Sequence, residues 1–266
     1  YASIYAGSLG LGGGGTFTIG ASAMNGGQDF FKGTISEVFC SNTEALTDDR
    51  IVVLNDILRD RLPVVTALSD ALISFMPRWY YKMDVDSGFV LPDASANGND
   101  ATIIGTPYLD QDGMNPRTNG RSIRFSGGTQ YAELPAISEY SVGTNDFTIT
   151  WSSNFEVETN NVRKRVFDLF STSGSRLIAM EDEDWNSLRV HVADGSIATL
   201  ELIVDPSGQV GIYNKWMSIF PRHFVVTRLS GVVYVYINGL LRKTATSLQN
   251  LQFTPAETVA RIGTSQ

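Results

Sequence analysis

Across residues 223–244 apolar and polar positions alternate with a period of two, and the alternation breaks only where turn formers stand. Phe224 and Val226 alternate with His223, Val225 and Thr227, while Val233, Val235 and Ile237 alternate with Val232, Tyr234 and Tyr236. Such a pattern puts one set of side chains on a buried face of a strand and the other on its reverse. Leu229-Ser230-Gly231 marks the first reversal. Asn238-Gly239 marks the second, because Gly has no Cβ to clash at positive φ and Asn tolerates the left-handed region. The stretch therefore predicts a three-stranded antiparallel meander.

Further short strands are predicted at residues 122–125, 130–134, 147–158, 165–170, 176–180, 187–192, 198–204 and 259–263. No helical period separates them, which implies an all-β, antiparallel sandwich. Upstream, residues 16–20 and 30–40 also read as strands. Gly12 to Gly15 lack the following Lys-Ser/Thr and helix start of a phosphate loop, so they read as a flexible turn. The period changes at Thr47. Thr47 can cap a helix, Asp48 and Asp49 suit its positive end, and Ile51, Leu54, Ile57, Leu58 and Leu62 recur at helical spacing up to Pro63. Leu68, Leu72 and Phe75 predict a second helix over 64–75, closed by Pro77. The chain thus divides into a β segment (1–42), a short helical connector (43–78) and a larger β unit (79–266).

Several motifs follow one another in a family-like order. These are Asp86-Ser-Gly, Asp93-Ala-Ser-Ala-Asn-Gly-Asn-Asp-Ala, Ser122-Ile-Arg-Phe-Ser-Gly before Tyr131, Asp146-Phe-Thr-Ile-Thr-Trp, Phe224-Val-Val-Thr-Arg and Tyr234-Val-Tyr-Ile-Asn-Gly. On them, residues 79–266 resemble the concanavalin A-like jelly-roll sandwiches, specifically the laminin-G-like branch. That family ends on a strand with Ile-Gly, a loop, then Phe-x-Gly-x-Ile-x-Glu-Val and a short helix. Here Arg261-Ile-Gly-Thr-Ser-Gln stops at the loop, while Phe31-Lys-Gly-Thr-Ile-Ser-Glu-Val and a helix start stand near the other terminus. The resemblance implies a tandem array, with 1–42 as the last strands of a preceding copy and the last strand of 79–266 missing. The alternative is that 1–42 close the same sandwich, and the partner of the strand at 34–39 decides between them.

Composition narrows the function. The chain has 266 residues, 42% hydrophobic and 18% charged, enough for a sizeable core. Twenty basic residues interleave with 28 acidic ones for a formal net charge of -8, which argues against nucleic acid. One cysteine, Cys40, excludes an internal disulfide and a cysteine-based zinc site. No apolar run is long enough to insert in a membrane.

Candidate chemistry is sparse. Glycoside hydrolases share the fold, and the relevant branch sets Glu-x-Asp-x-x-Glu along one strand so that paired carboxylates face the sugar. Glu181 with Glu183, and Glu156 with Glu158, come nearest, and neither pair has the third carboxylate. Asp93-Ala-Ser-Ala-Asn-Gly has oxygen side chains at alternate positions before a Gly, as in the first half of a calcium loop, but Ile104 stands where an EF-hand needs Glu. A Ca2+ site built from separated loops would use Asp84, Asp86, Asp93, Asn97 and Asp100; side-chain-to-backbone turns are the competing account. Trp185, Tyr234 and Tyr236 are candidates for stacking on sugar rings, with burial as the competing account for the tyrosines. His191 and His223 lie on strands far from any partner motif and read as structural.

The leading expectation is a non-catalytic recognition or adhesion module on a larger extracellular or virion-surface protein, binding glycan or a protein partner. A structural phage component, such as a tail or capsid decoration protein assembling with itself or other virion proteins, comes second. A glycoside hydrolase or lyase comes third.

Overall fold

The structure, a computed structural model, describes residues 17–19, 32–41, 77–112, 121–127, 129–135, 137, 140–155, 164–182, 187–195, 200–204, 222–256 and 258–265. Its strands in chain order are β1 (Phe17–Ile19), β2 (Lys32–Ser41), β3 (Pro77–Tyr81), β4 (Val90–Leu91), β5 (Ala101–Ile104), β6 (Tyr108–Asp112), β7 (Arg121–Ser126), β8 (Tyr131–Leu134) and β9 (Phe147–Phe155). They continue with β10 (Lys164–Ser171), β11 (Ser175–Asp182), β12 (Ser187–Asp194), β13 (Leu200–Val204), β14 (Arg222–Leu229), β15 (Val232–Ile237), β16 (Leu240–Thr246) and β17 (Thr258–Ser265). The predicted helices of the connector lie outside the described residues. Its last two positions, Pro77 and Arg78, already belong to β3.

The fold is an antiparallel β-sandwich of the jelly-roll kind. The first sheet runs β16-β15-β14-β9-β2-β7-β6, with β3 also on β2. The second runs β10-β17-β1-β8-β5-β4, and the turn at Thr172–Gly174, closed by Gly174 N–H on the Ser171 carbonyl (2.9 Å), leads from β10 into the β11-β12-β13 sheet. Alternation fills the space between the layers. Phe147, Ile149 and Trp151 face Phe224 and Val226 across one ladder, and Val235 and Ile237 across the next; all are buried. From the second sheet come Phe167, Leu169, Ala260 and Ile262, and from β12 come Val190 and Val192. Trp151 stacks on Phe224 (5.1 Å), and Trp79 reaches from the first sheet to Phe167 in the second (6.3 Å).

The predicted meander is present as β14-β15-β16. Both turns take positive φ at two residues, Ser230 (50°) with Gly231 (77°) and Asn238 (52°) with Gly239 (75°), the primed geometry that matches strand twist. Asn238 also accepts the His223 N–H on its side-chain oxygen (3.0 Å).

The tandem division is corrected by the strand pairing. In β2, Thr34 lies opposite Asn154 of β9 on one side and Arg124 of β7 on the other, and Phe39 lies opposite Tyr80 of β3. Residues 32–41 therefore close the same sandwich that 77–265 form. The physical reason is that β9 and β7 would otherwise leave two rows of backbone N–H and C=O without ladder partners in the middle of a sheet. β1 joins the second sheet, pairing with β8, β10 and β17.

Arg228 ends the Phe-Val-Val-Thr-Arg motif and is fully buried, its guanidinium 5.0 Å from the Phe147 ring. It donates to the carbonyls of Asn145 (2.8 Å from Nε), Gln249 (2.9 Å) and Gly143 (2.7 Å). Burial pushes its pKa down to about 10, with Asp146 opposing, which leaves the group charged at neutral pH. One side chain thus ties two loops to the end of the core.

Candidate functional site

The loop nominated for calcium is held by a dense set of hydrogen bonds. The Asp93 carboxylate accepts four donors: Tyr80 N–H (2.8 Å) and Ser95 N–H (2.9 Å) on one oxygen, Ser95 Oγ (2.7 Å) and Asn99 N–H (2.9 Å) on the other. Asp100 accepts the Asp93 N–H (2.8 Å). Asn97 and Asn99 donate to the Pro77 and Arg78 carbonyls. These residues stitch the loop to the edge of β3. Asp84 and Asp86 are exposed, and Asp86 bonds only its neighbour Ser87 among the hydrogen bonds seen. Among the described residues no three His, Cys, Asp or Glu side chains are placed to share a metal ion. Of the five nominated residues, Asp93 and Asp100 accept N–H and O–H groups within this turn network and Asn97 donates to it, while Asp84 and Asp86 stand exposed.

Of the aromatic candidates, Trp185 lies outside the described residues. Tyr234 and Tyr236 do share the face of β15 opposite Val233 and Val235, but Tyr236 is only 4% exposed and Tyr234 half-buried. The neighbouring positions of that face, Thr148, Thr150, Val225 and Thr227, are also buried, with Thr148 bonded to Thr227 (2.7 Å) and Thr150 to His223 Nε2 (2.8 Å). Of the two rings, only Tyr234 is partly open to solvent. His223 is buried beneath this face.

The second sheet and its β11-β12-β13 continuation differ. Their inner positions are packed, while outer positions alternate Arg176 on β11, Arg189 and His191 on β12, Glu201 on β13, Arg261 on β17, and Tyr131 with Glu133 on β8, all partly open to solvent or exposed. Glu201 sits opposite His191 in the ladder (3.1 Å between Oε1 and Nε2) and also binds Arg189 (2.8 Å). The Arg261 guanidinium lies over the Tyr131 ring at 4.7 Å. Beneath them Arg165 and Asp168 form a buried ion pair (2.8 Å), with Asp168 opposite Arg261 in register. The outer positions of these two sheets thus carry guanidinium forks, carboxylates and a ring. They can bond hydroxyl groups both as donors and as acceptors.

Burial lowers the His191 pKa to about 4; Glu201 opposes this, and Arg176, Arg189 and Arg165 reinforce it. Its imidazole is neutral at pH 7. In the unfolded chain it would take up a proton near pH 6.5, so between about pH 6.5 and 4 the unfolded state holds a proton that the folded state lacks. Stability is expected to be full above pH 6.5 and to fall on acidification through this window. Denaturant midpoints measured across it should show this slope, and His191→Gln should flatten it.

Sequence reasoning set His191 aside for lack of a motif partner and passed over the arginines. The signal was in the alternation, since Arg189-Val-His191-Val and Leu-Glu201-Leu each put polar groups on the reverse of a buried row.

No protein-family model matches the chain, and no curated protein does. Among solved structures, the chain is similar to the botulinum neurotoxin serotype D binding domain, at 14% identity and a TM-score of 0.34 over 68% of this chain and 41% of that one. It is also similar to alginate lyase A1-II′, a member of polysaccharide lyase family 7, at 12% identity and a TM-score of 0.34 over 68% of this chain and 79% of the lyase. The chain spans about two fifths of the length of the neurotoxin binding domain. Neither a partner nor an activity passes to this chain from likenesses so distant.

Proposed function

We infer that the protein is a non-catalytic glycan-recognition module that uses the outer face of its second sheet and the β-strands continuing from it. The observation that carries this reading is the row of forked donors and carboxylates on that face, set against a first sheet whose central outer face is buried. A mixed-sign face suits a polyhydroxylated ligand, whose paired hydroxyls bond guanidinium and carboxylate alike. The order of the sequence motifs supports placing the module in the laminin-G-like branch, and an acidic chain with no disulfide suits a bacterial or phage surface protein.

The non-catalytic part of the reading rests on spacing. His191 on β12 and Tyr131 on β8 have β11, β10, β17 and β1 between them. At about 4.8 Å per strand they stand about 24 Å apart across the strands, too far to act on one bond. The side chains of Glu156, Glu158, Glu181 and Glu183 lie outside the described residues. A glycan array probed with the wild type and with an Arg261→Gln, Glu133→Gln double variant tests the proposal. Signal on oligosaccharides that the double variant loses is the expected result, and an array blank for the wild type would refute it.

A further inference from the structure

The first sheet ends on two strands of opposite character. At one end, β6 is broken by a bulge between Tyr108 and Gln111, and the Asp110 N–H is taken by the Val85 carbonyl (3.2 Å). The Asp110 carboxylate is neutralised by Arg121 (3.0 Å). At the other end, β16 pairs with β15 on one side and with no described strand on the other. All its residues except the half-buried Ala245 are exposed, so the backbone N–H and C=O groups of its outer edge go to water. Leu240 and Leu241 are 58% and 49% exposed. The register sets them on opposite faces of the strand, Leu240 in the row of Ile237 and Leu241 in the row of Tyr236. Arg242 follows as the extra residue of a bulge, and from Lys243 to Thr246 the ladder to β15 is regular. Among the described residues no hydrogen bond or ion pair engages the Arg242 or Lys243 side chain, on a chain whose formal net charge is -8.

We propose that β16 is a docking edge for an extended acidic segment of a partner protein, which adds to the first sheet as its next strand. The open ladder selects a polypeptide, because only another strand presents N–H and C=O groups at the same spacing. The charge selects an acidic one. Carboxylates on the incoming strand meet Arg242 and Lys243, and its apolar side chains cover Leu240 on one face and Leu241 on the other. A second copy docking through the same edge would set these two cations against their own kind, the contact by which edge lysines keep identical strands apart. Two cations are also too few to hold a nucleic acid, whose binding rests on many phosphate contacts. The proposal stands apart from the glycan reading, since β16 belongs to the first sheet and the glycan face to the second.

The test titrates the full chain, by fluorescence anisotropy at low salt, against labelled peptides of about nine residues. One alternates valine with glutamate, a second alternates valine with lysine, and a third is the glutamate peptide N-methylated at two adjacent central residues, so that neither of its edges forms a full ladder. The Arg242→Glu, Lys243→Glu double variant runs beside the wild type; both positions are in solvent, so it should melt with the wild type, which is checked first. The wild type is expected to bind the glutamate peptide and neither of the others. The double variant should bind it about tenfold or more weakly and take the lysine peptide instead. A wild type that binds neither unmethylated peptide, or both equally, overturns the proposal. Equal binding of the methylated peptide overturns strand addition and leaves charge attraction alone. Sedimentation of the wild type without peptide should match that of the double variant, and a self-associated species lost on charge reversal would make the occupant a second copy and overturn the choice of partner.

Discussion

Arg228→Met will unfold at a markedly lower denaturant concentration than the wild type, with a loss of about 3 kcal/mol or more. Methionine replaces the stem and keeps contact with Phe147, so the packing loss is small. What is lost is the set of donors. The carbonyls of Gly143, Asn145 and Gln249 all accept from this guanidinium, which is itself fully buried. A buried carbonyl deprived of its donor costs about 1–3 kcal/mol; Gln249 is the buried one here, while Gly143 keeps the Leu251 N–H (3.0 Å) and the Asn145 bond is part-buried, and the emptied guanidinium pocket adds to the cost. Arg228→Lys should recover little of the loss, because one ammonium cannot reproduce a planar fork reaching both loops. Urea titrations followed by tryptophan fluorescence measure all three proteins. Wild-type stability in Arg228→Met would mean that the 143–145 and 249 loops find other donors, and that the motif arginine is dispensable to the fold.

That arginine also shows what the sequence could and could not reveal. The alternation of Phe224 and Val226 with Val225 and Thr227 was enough to predict β14 and its inward face, because one side of a sandwich strand must be apolar. The same alternation cannot say where a charged residue at the strand's end will point, and the loops it clamps lie 83 and 21 residues away. Strand pairing is subject to the same limit. The pattern at 30–40 identified a strand, but whether it joined β9 and β7 or another sandwich depends on contacts with strands far along the chain, which no local period encodes. The site was least legible. Outer-face positions such as Arg189, His191 and Glu201 gain meaning only when the register sets them side by side.

Asp93→Ala is expected to be the other severe single change, at about 2–3 kcal/mol, and its pattern separates a turn-forming carboxylate from a cation ligand. Both oxygens of Asp93 are committed to donors, three of them backbone N–H groups of Tyr80, Ser95 and Asn99. Tyr80 lies on β3 between Trp79 and Tyr81, two core side chains, and its own carbonyl takes the Ala94 N–H (2.7 Å). The loop therefore substitutes for a neighbouring strand along the outer edge of β3, and Tyr81 Oη adds a bond to the Asn99 carbonyl. Asp93→Asn keeps the shape but turns one acceptor into a donor, facing either Tyr80 and Ser95 N–H or Ser95 Oγ and Asn99 N–H. It should consequently be nearly as damaging as alanine. A metal ligand would behave otherwise, since its loss matters only while the ion is bound. Melting curves of the wild type and both variants, each in calcium and in chelator, should show large shifts between proteins and none between buffers. A wild type that gains several degrees in calcium, with Asp93→Asn indifferent to it, would return Asp93 to the role of cation ligand. It would also require its four present donors to give way when the ion arrives.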